Sequence, residues 1–129
     1  MNVETLNLKR YYPKISRYNS PVITIGKVHL SFNRICRPAL HNKPYCEIFF
    51  DEKQKVMAIK PLHVETVFTK RLYNIPGQNP RLCIGGFLKQ TGLFEQFRMY
   101  RSGFKHIRFR AIWNNKGKLF LIDLNGGTS

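Results

Sequence analysis

The sequence predicts a mainly β fold with short helices (α+β), in which a ββαββ unit occurs twice and the two copies share one barrel-like core around a pseudo-two-fold axis. Three observations lead there. Apolar and polar residues alternate with the period of two that a half-buried strand requires. Two distant stretches, "EIFFDEKQKVMAIKPL" and "RAIWNNKGKLFLIDL", match without a gap: Phe50 aligns with Trp113, Lys53 with Lys116, Lys55 with Lys118 and Ile59 with Ile122. The chain of 129 residues, 43% hydrophobic with ten Phe, suits one compact domain. One unit of roughly 45 residues buries too little apolar area to stand alone, whereas two copies can share a core.

Residues 1–20 read as a basic, aromatic arm. "LKRYYPKISRYNSP" combines Lys9 and Arg10 with Tyr11, Tyr12 and Tyr18 and shows no clear period. Such an arm can lie along phosphates or stack on bases, or it can strap the barrel as an extra strand. Residues 21–125 form the domain. In its first repeat, 21–62, "VITIGKVHLSF" gives two β-branched runs about a Gly26-Lys27 turn. "NRICRPALHN" follows as a short helix, with Asn33 placed to cap it through its side-chain oxygen. Pro38 limits that helix or shifts its start, because proline lacks the amide donor. "YCEIFFDE" and "KVMAIKPL" are strands about a Lys53-Gln54 turn; Cys46, Ile48 and Phe50 share one face, Tyr45, Glu47 and Phe49 the other.

The second repeat, 64–124, has the same order. "VETVFTKRLYNI" is an expected strand, "PGQNP" a turn, "RLCIGG" a short strand and "FLKQTGLFEQF" one short helix. An insert, "RMYRSGFK", precedes the strands "HIRFRAIW" and "GKLFLIDL", and residues 126–129 are expected to fray. Alternation in "HIRFRAIW" sets Arg108 and Arg110 on one face and Ile107, Phe109, Ala111 and Trp113 on the other, so Trp113 is read as a core residue.

Charge carries most of the functional reading. Lys and Arg total 22 against seven acids, a net charge of +15 with pI near 10.2. Between Glu4 and Glu47 stand eight basic residues and no acid, and from Gln96 to Ile122 seven more, again without one. Solvated surfaces ordinarily mix signs, so long one-sign stretches imply a polyanionic partner, nucleic acid first. Arg98, Arg101, Lys105, Arg108 and Arg110 form the densest patch, and a sheet with one basic outer face can track a phosphate backbone. A basic protein gripping an acidic protein surface is the alternative.

The run "ITIGKVHLSFNRICRPAL" with the later "VMAIKPL", over residues 23–62, resembles the swapped-hairpin DNA-binding domains of the AbrB, SpoVT and MazE type. Those domains carry Pro after the second strand, where this chain has Phe32-Asn33, and they pair identical copies, where here the second repeat would take the partner's place. The layout, with "ITIGK" and "AIKP", is also similar to small phage and bacterial proteins. The resemblance implies duplex DNA binding and nominates Lys27, His29, Arg34 and Arg37; the two arginines, three apart on a helix, would face the same way. Arginine suits the task because its planar fork meets phosphate, or guanine O6 and N7, with two hydrogen bonds.

No catalytic residue is nominated. Metal-assisted phosphoryl chemistry needs converging carboxylates, and the acids here are few and scattered. "DEK" at 51–53 has "NNK" as its counterpart, which marks both as turns. Cys36, His41 and Cys46 fit no common zinc spacing, so no metal and no cofactor are expected. Three cysteines without a C-x-x-C pair suggest a reduced, cytoplasmic protein of a bacterial or phage-infected cell, with buried thiols. No apolar run would span a membrane and no secretory leader is recognised, so neither a membrane nor a small-molecule substrate is expected as partner. The expectation is a non-enzymatic nucleic-acid-binding protein, DNA favoured over RNA, acting on duplex DNA in transcription regulation. The alternatives are single-strand binding in the manner of PUR-repeat or Whirly-like proteins, and inhibition of a host nucleoprotein complex, as by an anti-CRISPR or polymerase inhibitor.

Overall fold

The computed structural model describes residues 20–100 and 106–127, the side chains of residues 98–100 excepted. Eight antiparallel strands make a nearly closed barrel with three short helices. Strands β1 (Val22–Gly26) and β2 (His29–Phe32) lead through a 3-10 turn (Arg34–Cys36) into α1 (Arg37–Leu40). Strands β3 (Tyr45–Asp51), β4 (Val56–Leu62), β5 (Thr69–Arg71) and β6 (Arg81–Cys83) follow, then α2 (Gly85–Gln90), α3 (Leu93–Tyr100), β7 (His106–Asn114) and β8 (Leu119–Asp123). The sheet runs β5-β3-β4-β8-β7-β1-β2-β6. Just past β5, Tyr73 N–H donates to Arg81 O at 2.9 Å and Arg81 N–H to Tyr73 O at 3.0 Å, which draws the two ends of the sheet together. Closure of this kind removes the exposed edges that would otherwise template aggregation.

Exchanging β1–β4 for β5–β8, strand for strand, leaves the closed order unchanged. The long hairpins agree atom by atom at their turns. Gln54 N–H donates to Asp51 Oδ1 at 3.0 Å, and Gly117 N–H to Asn114 Oδ1 at 2.7 Å. Lys55 and Lys118 close the turns in the left-handed region, with φ of 56° and 55°. Asp and Asn are equivalent here because the turn needs only one acceptor oxygen at its first position. Two lysines held in a conformation that costs a non-glycine residue roughly 1–2 kcal/mol reflect a ladder that over-determines the turn.

Alternation along each strand fills the barrel from inside. Ile23 and Ile25 of β1, Leu30 and Phe32 of β2, Met57 and Ile59 of β4, and Phe120 and Ile122 of β8 are all buried. Aromatic rings tie the layers: Phe32 to Phe120 at 5.7 Å, Trp113 edge-on to Phe120 at 4.8 Å and Phe97 to Phe109 at 6.0 Å between centroids. Trp113 is half-buried and packs on the core, as alternation predicts. Pro61 stands where β4 has run past β8 and is paired on one side only, the position in a sheet that tolerates a missing donor. Leu88 and Leu93, on α2 and α3, add to the same core.

The structure corrects four local expectations. Asn33 does not cap the helix through its side-chain oxygen; Nδ2 donates to Ser20 O at 3.0 Å while Oδ1 accepts from Cys36 Sγ at 3.3 Å, pinning the start of β1 to the turn. The single helix of 87–97 is two, broken at Gly92 with φ of +75°, where Thr91 Oγ1 also turns back onto Phe87 O at 2.8 Å. Only Thr69–Arg71 of "VETVFTKRLYNI" is strand; before it Thr66 and Thr69 exchange hydrogen bonds through backbone and hydroxyl groups, a local alternative to the ladder. Cys83 is exposed, whereas Cys36 and Cys46 are buried. Of the C-terminal residues, Gly127 lies against Ile107 and Phe109, and residues 128–129 lie outside the described residues.

A Cβ at Gly127 would sit 2.5 Å from Ile107 Cγ2 and 2.6 Å from Phe109 Cε1, both side chains of the core. Gly127→Ala is therefore expected to lower unfolding free energy by about 1–3 kcal/mol through overpacking. Urea denaturation checks this, and an unchanged midpoint would contradict the packing.

Candidate nucleic-acid interface

Strands β7, β1, β2 and β6 are consecutive in the barrel wall, and none of them contains a carboxylate. Because Ile23, Ile25, Leu30, Leu82, Ile107 and Phe109 point inward, the residues between them point out. Register then sets a single transverse row on the outer surface: Arg108 opposite Thr24, Thr24 opposite Ser31, Ser31 opposite Arg81. The Tyr73–Arg81 bridge extends the row to the exposed Tyr73 ring. Arg108, Thr24, Ser31 and Arg81 are all half-buried. Among the described residues neither arginine forms an ion pair. His106 and His29 stand on the same wall, on β7 and β2, with His29 opposite Cys83.

The residues nominated from sequence distribute around this row. Arg108 lies in it. Arg110, exposed, lies two residues further along β7, opposite Val22. One step beyond the Ala111–Ile122 pair, the β7–β8 ladder brings Asp123 beside it, so Arg110 marks the seam between the acid-free wall and the next. Lys27 is exposed in the β1–β2 turn, past one end of β1, and Arg34 and Arg37 are exposed past the other. They stand at least about 16 Å apart along the wall, the rise of five strand residues, so they do not converge. Arg37 Nη2 donates to Gln78 O at 3.1 Å, which ties α1 to the loop before β6. Arg98 is on α3, its side chain not described, while Lys9, Arg10, Arg101 and Lys105 lie outside the described residues.

Sequence reading missed Thr24, Ser31, Arg81 and Tyr73. Arg81 belongs to a strand of three residues, too short to show a period, and only register places it across two strands from Arg108. A second basic feature lies at the barrel end. There a groove of about 500 Å³ has Trp113, Phe120, His41, Lys43 and Lys118 in its lining.

The opposite wall differs. β3 carries Glu47 and Asp51, β8 carries Asp123, and Lys60 of β4 faces Glu47. Charge is thus sorted around the barrel. No group of three or more His, Cys, Asp or Glu residues able to hold a metal ion occurs among the described residues. No helix among them is long and apolar enough to cross a membrane. No family model, curated protein or solved structure matches the chain.

The cysteines offer a reporter for this wall. Burial pushes the Cys36 thiol up to about 12, against backbone hydrogen bonds at Val22 and Asn33 that pull it down, and burial alone pushes Cys46 to about 12. The thiolate is the reactive form. Native protein treated with a disulfide reagent at mildly alkaline pH is expected to release one equivalent quickly, from exposed Cys83, and two more only on unfolding. Rapid reaction of all three would contradict the placement of Cys36 and Cys46.

Proposed function

We propose that this protein binds nucleic acid without catalysing a reaction on it, through the acid-free wall β7-β1-β2-β6, and that duplex DNA is its ligand in a regulatory role. The observation that carries the reading is the row Arg108–Thr24–Ser31–Arg81, with cationic forks at the ends and hydroxyl groups between. Three inter-strand steps of about 4.8 Å separate the two arginine backbones by about 14 Å. That is close to the roughly 12 Å width of the B-DNA major groove, so two flexible arginines can meet phosphates on both of its sides while Thr24 and Ser31 face the groove between. Lys27 and Arg34 lie past the two ends of β1, one on each side of the row along the strand direction.

The same reading takes the chain as a doubled ββαββ unit with swapped hairpins. The exchange-invariant strand order and the matched Asp51 and Asn114 turns favour it. So does the interleaving of the halves, with β1 against β7 and β5 against β3. This is the arrangement implied by the resemblance to AbrB-type domains, with one chain in place of two.

Single-strand binding is the second reading, and Tyr73 favours it. Tyr73 is 46% exposed beside Arg81, placed to stack on an unpaired base next to a phosphate contact.

Fluorescence anisotropy with duplex and single-stranded oligonucleotides across a salt series separates the readings. Duplex binding with about four phosphate contacts should give a slope of log affinity against log salt near −3.6. Arg81→Glu with Arg108→Glu should weaken duplex binding more than tenfold and flatten the slope by about two, with the thermal midpoint little changed. Affinity unchanged in that variant refutes the row as the interface. Tighter binding to single strands, lost in Tyr73→Ala, favours the second reading, and no binding to either at low salt leaves a protein partner.

A further inference from the structure

We infer that the outer surface of β3, β4, β8 and β7 is the interface of a homodimer, with its two-fold axis parallel to the strands and between β4 and β8. This goes beyond the nucleic-acid reading and rests on a different part of the wall. Register makes an apolar row across these four strands: Phe49 opposite Ala58, Ala58 opposite Leu121, Leu121 opposite Ile112. All four point outward, since Met57, Ile59, Phe120 and Ile122 occupy the inside. Phe49 is 45% exposed and Ile112 69%, large apolar side chains left in water at the two flanks of one row. A contiguous patch of that kind marks an interaction surface, where scattered exposed residues would not.

The shape suits a second barrel. Barrel walls are convex, so two of them meet first along their central strands and diverge to either side. Here the small Ala58 and half-buried Leu121 form the crest, while the protruding Phe49 and Ile112 stand where the gap widens. Beside the crest lies a groove of about 270 Å³ between Phe49, Phe50, Asp51, Val56, Ala58 and Leu121. The proposed axis carries β7 of one copy over β3 of the other, so Ile112 enters this groove, and it does so twice. Aligned strands are the usual geometry for sheets packed face to face.

Charge selects the axis. Next to the apolar row, Asp51, Val56 and Asp123 are successive neighbours across the wall, with Arg110 one strand further. On the other side of the row, Glu47 pairs with Lys60. An axis parallel to the strands sets Arg110 over Asp51 of the second copy, in two symmetric places, as an isologous interface requires. An axis along the row would set Asp51 over Glu47, like on like. The net charge of +15 makes copies repel over most of their surface, which confines any self-association to the wall that carries the acids. Four of the seven acids, Glu47, Asp51, Glu52 and Asp123, lie on this wall or its β3–β4 turn, where a basic partner can approach. A second copy supplies both the cation and the apolar side chain that fit.

Sedimentation velocity of the full chain, in salt high enough to strip nucleic acid, tests this. The protein should sediment as a concentration-dependent dimer. Ile112→Asp and, separately, Asp51→Arg should each weaken dimerisation more than tenfold, about 1.4 kcal/mol or more, with urea midpoints showing folded monomers, that of Asp51→Arg lowered by loss of the turn acceptor for Gln54 N–H. Asp51→Arg combined with Arg110→Asp should restore affinity, because the swap rebuilds the pair with its signs reversed; a merely unfolded variant would not recover. A monomer at every concentration, an Ile112→Asp protein that dimerises normally, or a double variant no tighter than Asp51→Arg alone would each overturn the proposal.

Discussion

Neither half of this chain can satisfy the backbone of its own strands. β1 finds its outer partner in β7 and β5 finds its partner in β3, so each half completes the ladder of the other. A buried or edge-lying peptide group without a partner costs about as much as a lost hydrogen bond, and closure of the sheet is what removes that cost. Everything else in the structure is conditional on this exchange. The interior exists only when both halves contribute to it, with Phe32 from one half meeting Phe120 from the other.

Closure also fixes what each side chain can do. In a barrel, alternate residues have no choice but inside or outside, and the inside is fully apolar, with no buried polar or charged side chain among the described residues. All charge is driven outward, where strand order decides which charges become neighbours. Because β6, β2, β1 and β7 lie side by side, Arg81 and Arg108 stand on one wall, in one transverse row, despite lying 27 residues apart in the numbering. Because β3, β4 and β8 lie together, so do Glu47, Asp51 and Asp123. The same topology therefore generates one wall without carboxylates and another that carries Glu47, Asp51 and Asp123 beside an apolar row. Arg110 stands at the seam between them, beside Asp123 and opposite Val22, the one nominated cation that belongs to both surfaces.

Departures from regular alternation concentrate in the segment between β4 and α2. There the chain must travel from the end of β4 to the far edge of the sheet, and it does so with two strands of three residues each. Local hydrogen bonds between Thr66 and Thr69 and the Arg37–Gln78 contact hold this path in place. Val67 and Phe68 remain largely in water as a result. So weak a sheet edge is sufficient because the two-bond bridge at Tyr73 and Arg81 completes it.

The sequence by itself determined the β class, the two long hairpins and the faces of the first strand in each. Those features are local: a period of two, and a turn built on one acceptor oxygen at Asp51 or Asn114, are written in consecutive residues. It also determined that a strongly basic exterior would surround an apolar core. Tertiary structure alone decided the register between distant strands, and with it the row from Arg108 to Arg81 and the apolar row from Phe49 to Ile112. It alone decided that Lys27 and Arg34 stand at opposite ends of β1, that Asn33 anchors Ser20 instead of capping a helix, and that Cys83 is exposed. Pairing across long separations depends on how a whole sheet closes, and no window of neighbouring residues contains that information.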